Sequence, residues 1–152
     1  MVWLAVLAAA IGLAAYGLLA LAGSTSDAAA AGGWELTIQV PHASFDAGDD
    51  VVAVATLTYR GDDPRRTFGF AAGGPVAFGV VMPDGTEVPP AYRDVCRTGV
   101  ADRNIVVPYQ RTFELPVGRS LIWAEADITP GGCGATGERV QLRAEVEIEV
   151  RG

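Results

Sequence analysis

Val140-Gln141-Leu142-Arg143-Ala144-Glu145-Val146-Glu147-Ile148-Glu149-Val150-Arg151 decides the fold class. Every second side chain is apolar and every one between is polar or charged, the period of a strand with one face in a core and one in water. A helix would scatter the same residues round its axis without an apolar stripe. Trp34, Leu36, Ile38 and Val40 alternate with Glu35, Thr37 and Gln39 in the same way, and Pro41 closes that run. Between them lie candidate strands at 51–60, 66–72, 76–82, 105–114 and 120–128. Turn residues punctuate these runs, among them Asp46-Ala47-Gly48-Asp49, Gly61-Asp62-Asp63-Pro64, Gly73-Gly74-Pro75 and Pro83-Asp84-Gly85-Thr86. Residues 34–152 are therefore expected to form one all-β domain, an immunoglobulin-like antiparallel β-sandwich of about seven strands.

Outward from this domain, no charged side chain precedes Asp27, and Met1 to Ala22 are almost entirely Ala, Leu, Val, Ile and Gly. An apolar run of about 20 residues is long enough to cross a bilayer as a helix. It ends in Ala20-Leu21-Ala22-Gly23, the small-x-small pattern of a signal peptidase site. A signal peptide cut after Ala22 is expected, with an uncleaved anchor helix as the alternative. Ser24 stands where a lipoprotein signal needs a Cys, so no lipidation is expected. Residues 23–33 are small and featureless and read as a flexible spacer. The protein is accordingly expected outside the cytoplasm, secreted or in the cell envelope, touching a membrane only through an uncleaved N-terminal segment.

The net charge of −7 argues against nucleic acid or anionic lipid as a partner, since phosphate binding needs clustered cations. All eleven cations are Arg. Cys96 and Cys133 are the only cysteines, and an even number in an exported chain reads as one disulfide. Closing a loop of 37 residues would stabilise the fold by about 4 kcal/mol in the chain-entropy model. A metal or redox site lacks ligands, for there is one His and no Cys-x-x-Cys. If 105–114 and 120–128 form a hairpin, Cys96 in the connection 89–104 and Cys133 in the connection 129–138 come to the same end. Loop 61–65 joins that end if 76–82 returns directly into the connection, and a further strand at 86–89 would send it to the other.

The middle of the chain carries a family resemblance. Leu57-Thr58-Tyr59-Arg60-Gly61 through Phe68-Gly69-Phe70, Gly73-Gly74-Pro75-Val76-Ala77-Phe78-Gly79-Val80 and Pro83-Asp84-Gly85-Thr86-Glu87-Val88 resemble the bacterial BsuPI-type, intracellular proteinase inhibitor-like domain. Leu115-Pro116-Val117-Gly118-Arg119-Ser120 and the following Trp123 are similar to that family's Leu-x-Pro-Gly-x-Ser segment and downstream Trp. The resemblance spans residues 50–128. It implies an immunoglobulin-like sandwich and, as an alternative function, extracytoplasmic proteinase inhibition, with no inhibitory residue matched by position.

Enzymatic chemistry needs a nucleophile beside a base or paired acids in a cleft. The chain offers one His, His42, beside Pro41 at a strand end, and neither Ser44 nor Ser120 lies in a Gly-x-Ser-x-Gly setting. No enzyme, cofactor or metal is expected. Asp46, Asp49 and Asp50 carry the oxygen chemistry of a Ca²⁺ site but complete no loop signature, and read as turn acids. Arg60-Gly61-Asp62 spells an integrin tripeptide that three residues produce by chance. Arg65 and Arg66 follow Pro64 and could offer a basic side chain to a trypsin-type protease. Trp123 shares an outward row with Leu121, Glu125 and Asp127, where it either anchors a partner or is covered by the spacer, a strand edge or Arg side chains. Trp123, Tyr92, Arg93, Arg97, Arg65 and Arg66 are the candidate protein-binding residues. The expected function is an exported, non-enzymatic, immunoglobulin-like module that binds another protein at the cell envelope. It would use the disulfide-braced end with loops 61–65, 89–104 and 129–138.

Overall fold

The computed structural model describes residues 23–90 and 93–152, with the backbone alone at Ala72, Arg93 and Asp94. The expected signal or anchor segment, 1–22, and Tyr92 lie outside the described residues. Among those described there is no helix.

The alternating segments are strands as expected: β2 (Trp34–Val40), β4 (Asp50–Tyr59), β10 (Gly118–Pro130) and β11 (Val140–Arg151). Seven more complete the chain: β1 (Thr25–Ala31), β3 (Ser44–Asp46), β5 (Arg65–Ala72), β6 (Ala77–Val81), β7 (Glu87–Val88), β8 (Arg93–Asp102) and β9 (Val106–Glu114). One sheet runs β1-β2-β4-β9, antiparallel throughout. The other runs β3-β11-β10-β5-β8, with β6 also on β10 and β7 on β6, and it is mixed because β3 lies parallel to β11. The alternate residues of the two sheets meet in one core, in which Leu36, Ile38, Val51, Ile122, Ile128 and Ile148 are fully enclosed. Period two thus does what it should: it sends one row of each strand inward and leaves the other in water.

Residues 25–31, expected to be spacer, instead form β1, paired with β2 from Thr25↔Val40 to Ala31↔Trp34. The reason is Gly32-Gly33, whose φ values of 57° and 79° make the two-residue turn that hairpins favour. Ala and Ser side chains hide the alternation, but the ladder is made by the backbone and needs none. Asp27 then accepts a hydrogen bond from the Glu145 N–H at 2.9 Å, tying β1 to β11 of the opposite sheet.

Residues 66–72 and 76–82, expected as separate strands joined by a turn, are two parts of one arm. Phe68 and Gly69 pair with Pro130 and Thr129, and Ala77 to Val81 pair with Glu125 to Leu121, so both run antiparallel along the same edge of β10. Gly73-Gly74-Pro75 interrupts this arm and does not reverse it. The return arm is interrupted likewise: β7 pairs with β6, and β8 pairs with β5 from Ala71↔Cys96 to Arg65↔Asp102. The expected long connection 89–104 is therefore largely strand. β9 and β10 are not a hairpin either, because β9 pairs with β4 and β10 with β11, and the chain changes sheet at 115–117. With each broken arm crossing the sheet once, loop 60–64 joins 103–105 and 131–139 at the end that holds Gly32-Gly33. The extra strand β7 does not move it away, since β7 and β8 run the same way. Gly23, Gly152 and the turns at 47–49 and 115–117 occupy the opposite end.

Candidate functional site

Cys96 sits on β8 and Cys133 just beyond β10, bonded with their Cα atoms 5.8 Å apart. The turn carrying Cys133 lies flat on the outer face of β5 and β8: the Gly131 N–H donates to the Thr67 carbonyl at 2.9 Å and the Cys133 N–H to Thr98 Oγ1 at 3.2 Å. Gly69 makes this approach possible, for a Cβ there would be 3.0 Å from the Cys133 nitrogen and 3.2 Å from the Cys96 sulfur. The expected pair is formed, and it fastens β8, an edge strand, to the β10–β11 connection.

β8 ends one sheet and β9 ends the other, so this lateral side of the fold is bounded by two edge strands joined by the short arch 103–105. On the opposite side β1 covers β11, and Gly32 packs against Val140. Between β8 and β9 lies a cleft of about 400 Å³. Its floor is aromatic: Trp34 meets Tyr59 at 5.1 Å and Phe68 at 4.8 Å between ring centroids, and Phe70 follows Phe68 at 5.5 Å. Its upper rim is apolar yet open to water, with Val100, Ile105 and Val107 at 56, 58 and 42% exposure. Neighbouring exposed aliphatic side chains of this kind mark an interaction surface more often than isolated ones do.

The polar groups of the cleft fall into two sets. At the top, Asp102 is already paired with Arg65 at 2.7 Å, and its hydrogen bond and charge raise the guanidinium further above its ordinary value. On the β9 wall Tyr109 is half-buried, and desolvation lifts its phenol above the ordinary 10.0. Farther along, the inward rows continue from Gly99 to Arg97 on β8 and from Tyr109 to Arg111 on β9, so each edge strand carries one exposed cation on the row that faces the cleft side. Seven of the eleven arginines, at 60, 65, 66, 119, 139, 143 and 151, form ion pairs with carboxylates. Among the described residues, Arg97, Arg103 and Arg111 have no carboxylate partner; Arg103 donates to the Asp62 carbonyl and Arg111 lies over the Phe113 ring.

Most of the residues expected to bind lie elsewhere. Trp123 is on the outward row, as expected, but only 3% of it is exposed, so it is no anchor for a partner. Its ring lies against Gly79 of β6, where an added Cβ would overlap it, and the Arg143 guanidinium stacks over it at 4.1 Å. Arg143 is itself held by Glu145 at 2.7 Å and faces Glu87 at 3.8 Å. Arg65 and Arg66 open β5 and are tied to Asp102 and Asp63 at 2.7 and 2.8 Å, within a strand and not projecting from a loop. Arg93 begins β8 and Arg97 is exposed on it. Arg60 is occupied by Glu35 at 3.0 Å and Asn104 at 3.3 Å. His42 packs edge-on to Phe45, and the Asp49 carboxylate accepts the Asp46 N–H at 3.0 Å as a turn acid does. No group of three or more His, Cys, Asp or Glu among the described residues is arranged to hold a metal.

The sequence does not show the cleft because one of its two walls, β8, lies in the stretch 89–104 that reads as a connection. The available signal was the run Ile105-Val106-Val107-Pro108, three apolar residues without alternation ahead of a Pro, as suits an exposed edge. No family model matches the chain, and no curated protein matches it. A solved structure, the X-ray structure of Northeast Structural Genomics Consortium target SoR45, is similar over 84% of this chain and 83% of its own, at 10% identity and a TM-score of 0.44.

Proposed function

We propose that the protein is an exported, non-enzymatic module of immunoglobulin-like type that binds another protein at the cell envelope. The observation that carries this reading is the open lateral side, where an aromatic-floored cleft is rimmed by exposed Val100, Ile105 and Val107. A large apolar side chain entering such a cleft would remove itself and the exposed rim of Val100, Ile105 and Val107 from water, at roughly 25 cal/mol per Å². The disulfide supports an oxidising compartment, as the apolar leader does. The resemblance to BsuPI-type domains supports the same kind of sandwich. The inhibitor alternative has less support, because Arg65 and Arg66 are occupied by Asp102 and Asp63 within β5.

The test is a photo-crosslinking amino acid placed at Ile105 in the producing cell, with a control at Glu147 on the outer face of β11. A discrete protein adduct at position 105 that is absent at 147 is expected. No adduct at 105, or the same adducts at both positions, would overturn the reading.

A further inference from the structure

The two edges bordering the cleft are not equivalent. β9 carries Pro108 opposite Thr56 of β4, and a Pro in an edge strand has no N–H to offer a new neighbour. β8 is ten residues long, has no Pro, and is paired on one side only. The turn of Cys133 is fastened to its outer face at Cys96 and Thr98, and its free edge has no strand neighbour. The charge on this side is equally one-sided. In a protein of net charge −7, the described arginines without a carboxylate partner all lie on β8, β9 or the arch between them. Arg97 and Arg111 lie on the cleft-side rows of the two edge strands, while the acid at the upper end, Asp102, is paired with Arg65.

Resting on the protein-binding reading above, we propose that the cleft receives an extended, acidic segment of the partner, added as a strand to the free edge of β8. One large apolar side chain of that segment packs on the exposed Val100, Ile105 and Val107, and a carboxylate farther along pairs with Arg97 or Arg111. Strand addition accounts for the free edge and the cleft together, since the main chain supplies affinity and alternate side chains supply selectivity. An acyl chain could fill the cleft but has no use for the donors and acceptors of β8. The unpaired cations favour an acidic segment over a neutral or basic one, both in encounter rate and in register.

The protein purified from the exported fraction would be panned against a random peptide library, and the selected peptides measured by fluorescence polarisation. Enrichment of a large apolar residue with Asp or Glu farther along is expected. Arg97→Glu with Arg111→Glu should weaken these peptides by roughly tenfold, and Arg97→Gln with Arg111→Gln by less. Hydrogen exchange should slow in 95–101 when peptide is bound. Selected peptides without acids, indifference to both double variants, or protection in β9 in place of β8 would overturn the proposal. So would binding to phosphatidylglycerol vesicles that depends on the same arginines, for the occupant would then be a membrane surface. If position 105 still crosslinks to a protein while the selected peptides carry no acidic preference, the acidic strand is wrong and protein binding stands. If neither result is obtained, both readings fall.

Discussion

Gly79 and Trp123 face one another across β6 and β10, and the glycine leaves room for the indole to lie on the strand beside it. Strand parity had put Trp123 on the outer face, and it is there. Its exposure was decided by two residues far off in the chain, Gly79 beneath the ring and Arg143 above it. Gly79→Ala should cost about 1–3 kcal/mol, because the ring must tilt away and part of its stacking on Arg143 is lost. Urea unfolding followed by Trp fluorescence would measure both the loss and a red shift. Ser120 is the converse case: 2% exposed, with a buried hydroxyl that finds no protein partner. Ser120→Ala removes a desolvated polar atom at small change of volume and should raise stability by about 1 kcal/mol in the same assay.

Among the elements, β8 depends most on a single covalent bond. It has one strand neighbour, and Cys96 fastens it to the turn after β10 across 37 residues of chain. Cys96→Ser with Cys133→Ser should cost about 4 kcal/mol, most of it through a freer unfolded chain. Hydrogen exchange should quicken in 95–101 and 131–134 before it does in β2 or β4, whose ladders lie within a sheet. β1 hangs on a weaker tie, the Asp27 carboxylate on the Glu145 N–H. Asp27→Ala should cost about 1 kcal/mol and loosen 25–31 selectively, read by the same exchange experiment. These two are the longest of the strands that the sequence does not show. Arg93-Asp94-Val95-Cys96-Arg97-Thr98 lacks alternation because Val95 and Arg97 face the open side, where no opposing sheet demands an apolar row. Ala28-Ala29-Ala30-Ala31 lacks it because identical small residues carry no period.

In the molecule as a whole, one side is closed by β1 on β11 and the other is left open between β8 and β9, and pH should report on the open side. The Tyr109 phenol is held above its ordinary 10.0 by burial, so the unfolded chain ionises first as pH rises. The stability it contributes is full below about pH 10 and is lost as pH climbs through the higher folded value. The urea midpoint should fall as the pH is raised above about 10, and Tyr109→Phe should remove part of that fall. By itself the sequence determined that the domain is all-β, which rows of β2, β4, β10 and β11 enter the core, and that Cys96 and Cys133 pair. Period two and the water-avoiding row are set within short segments, and with only two cysteines in the chain a disulfide has a single possible pairing. Tertiary structure alone decided that 73–75 interrupts a strand, that Trp123 is covered, and that β8 and β9 flank a cleft. A strand becomes an edge or a centre through neighbours many residues away, and no local pattern records who those neighbours are.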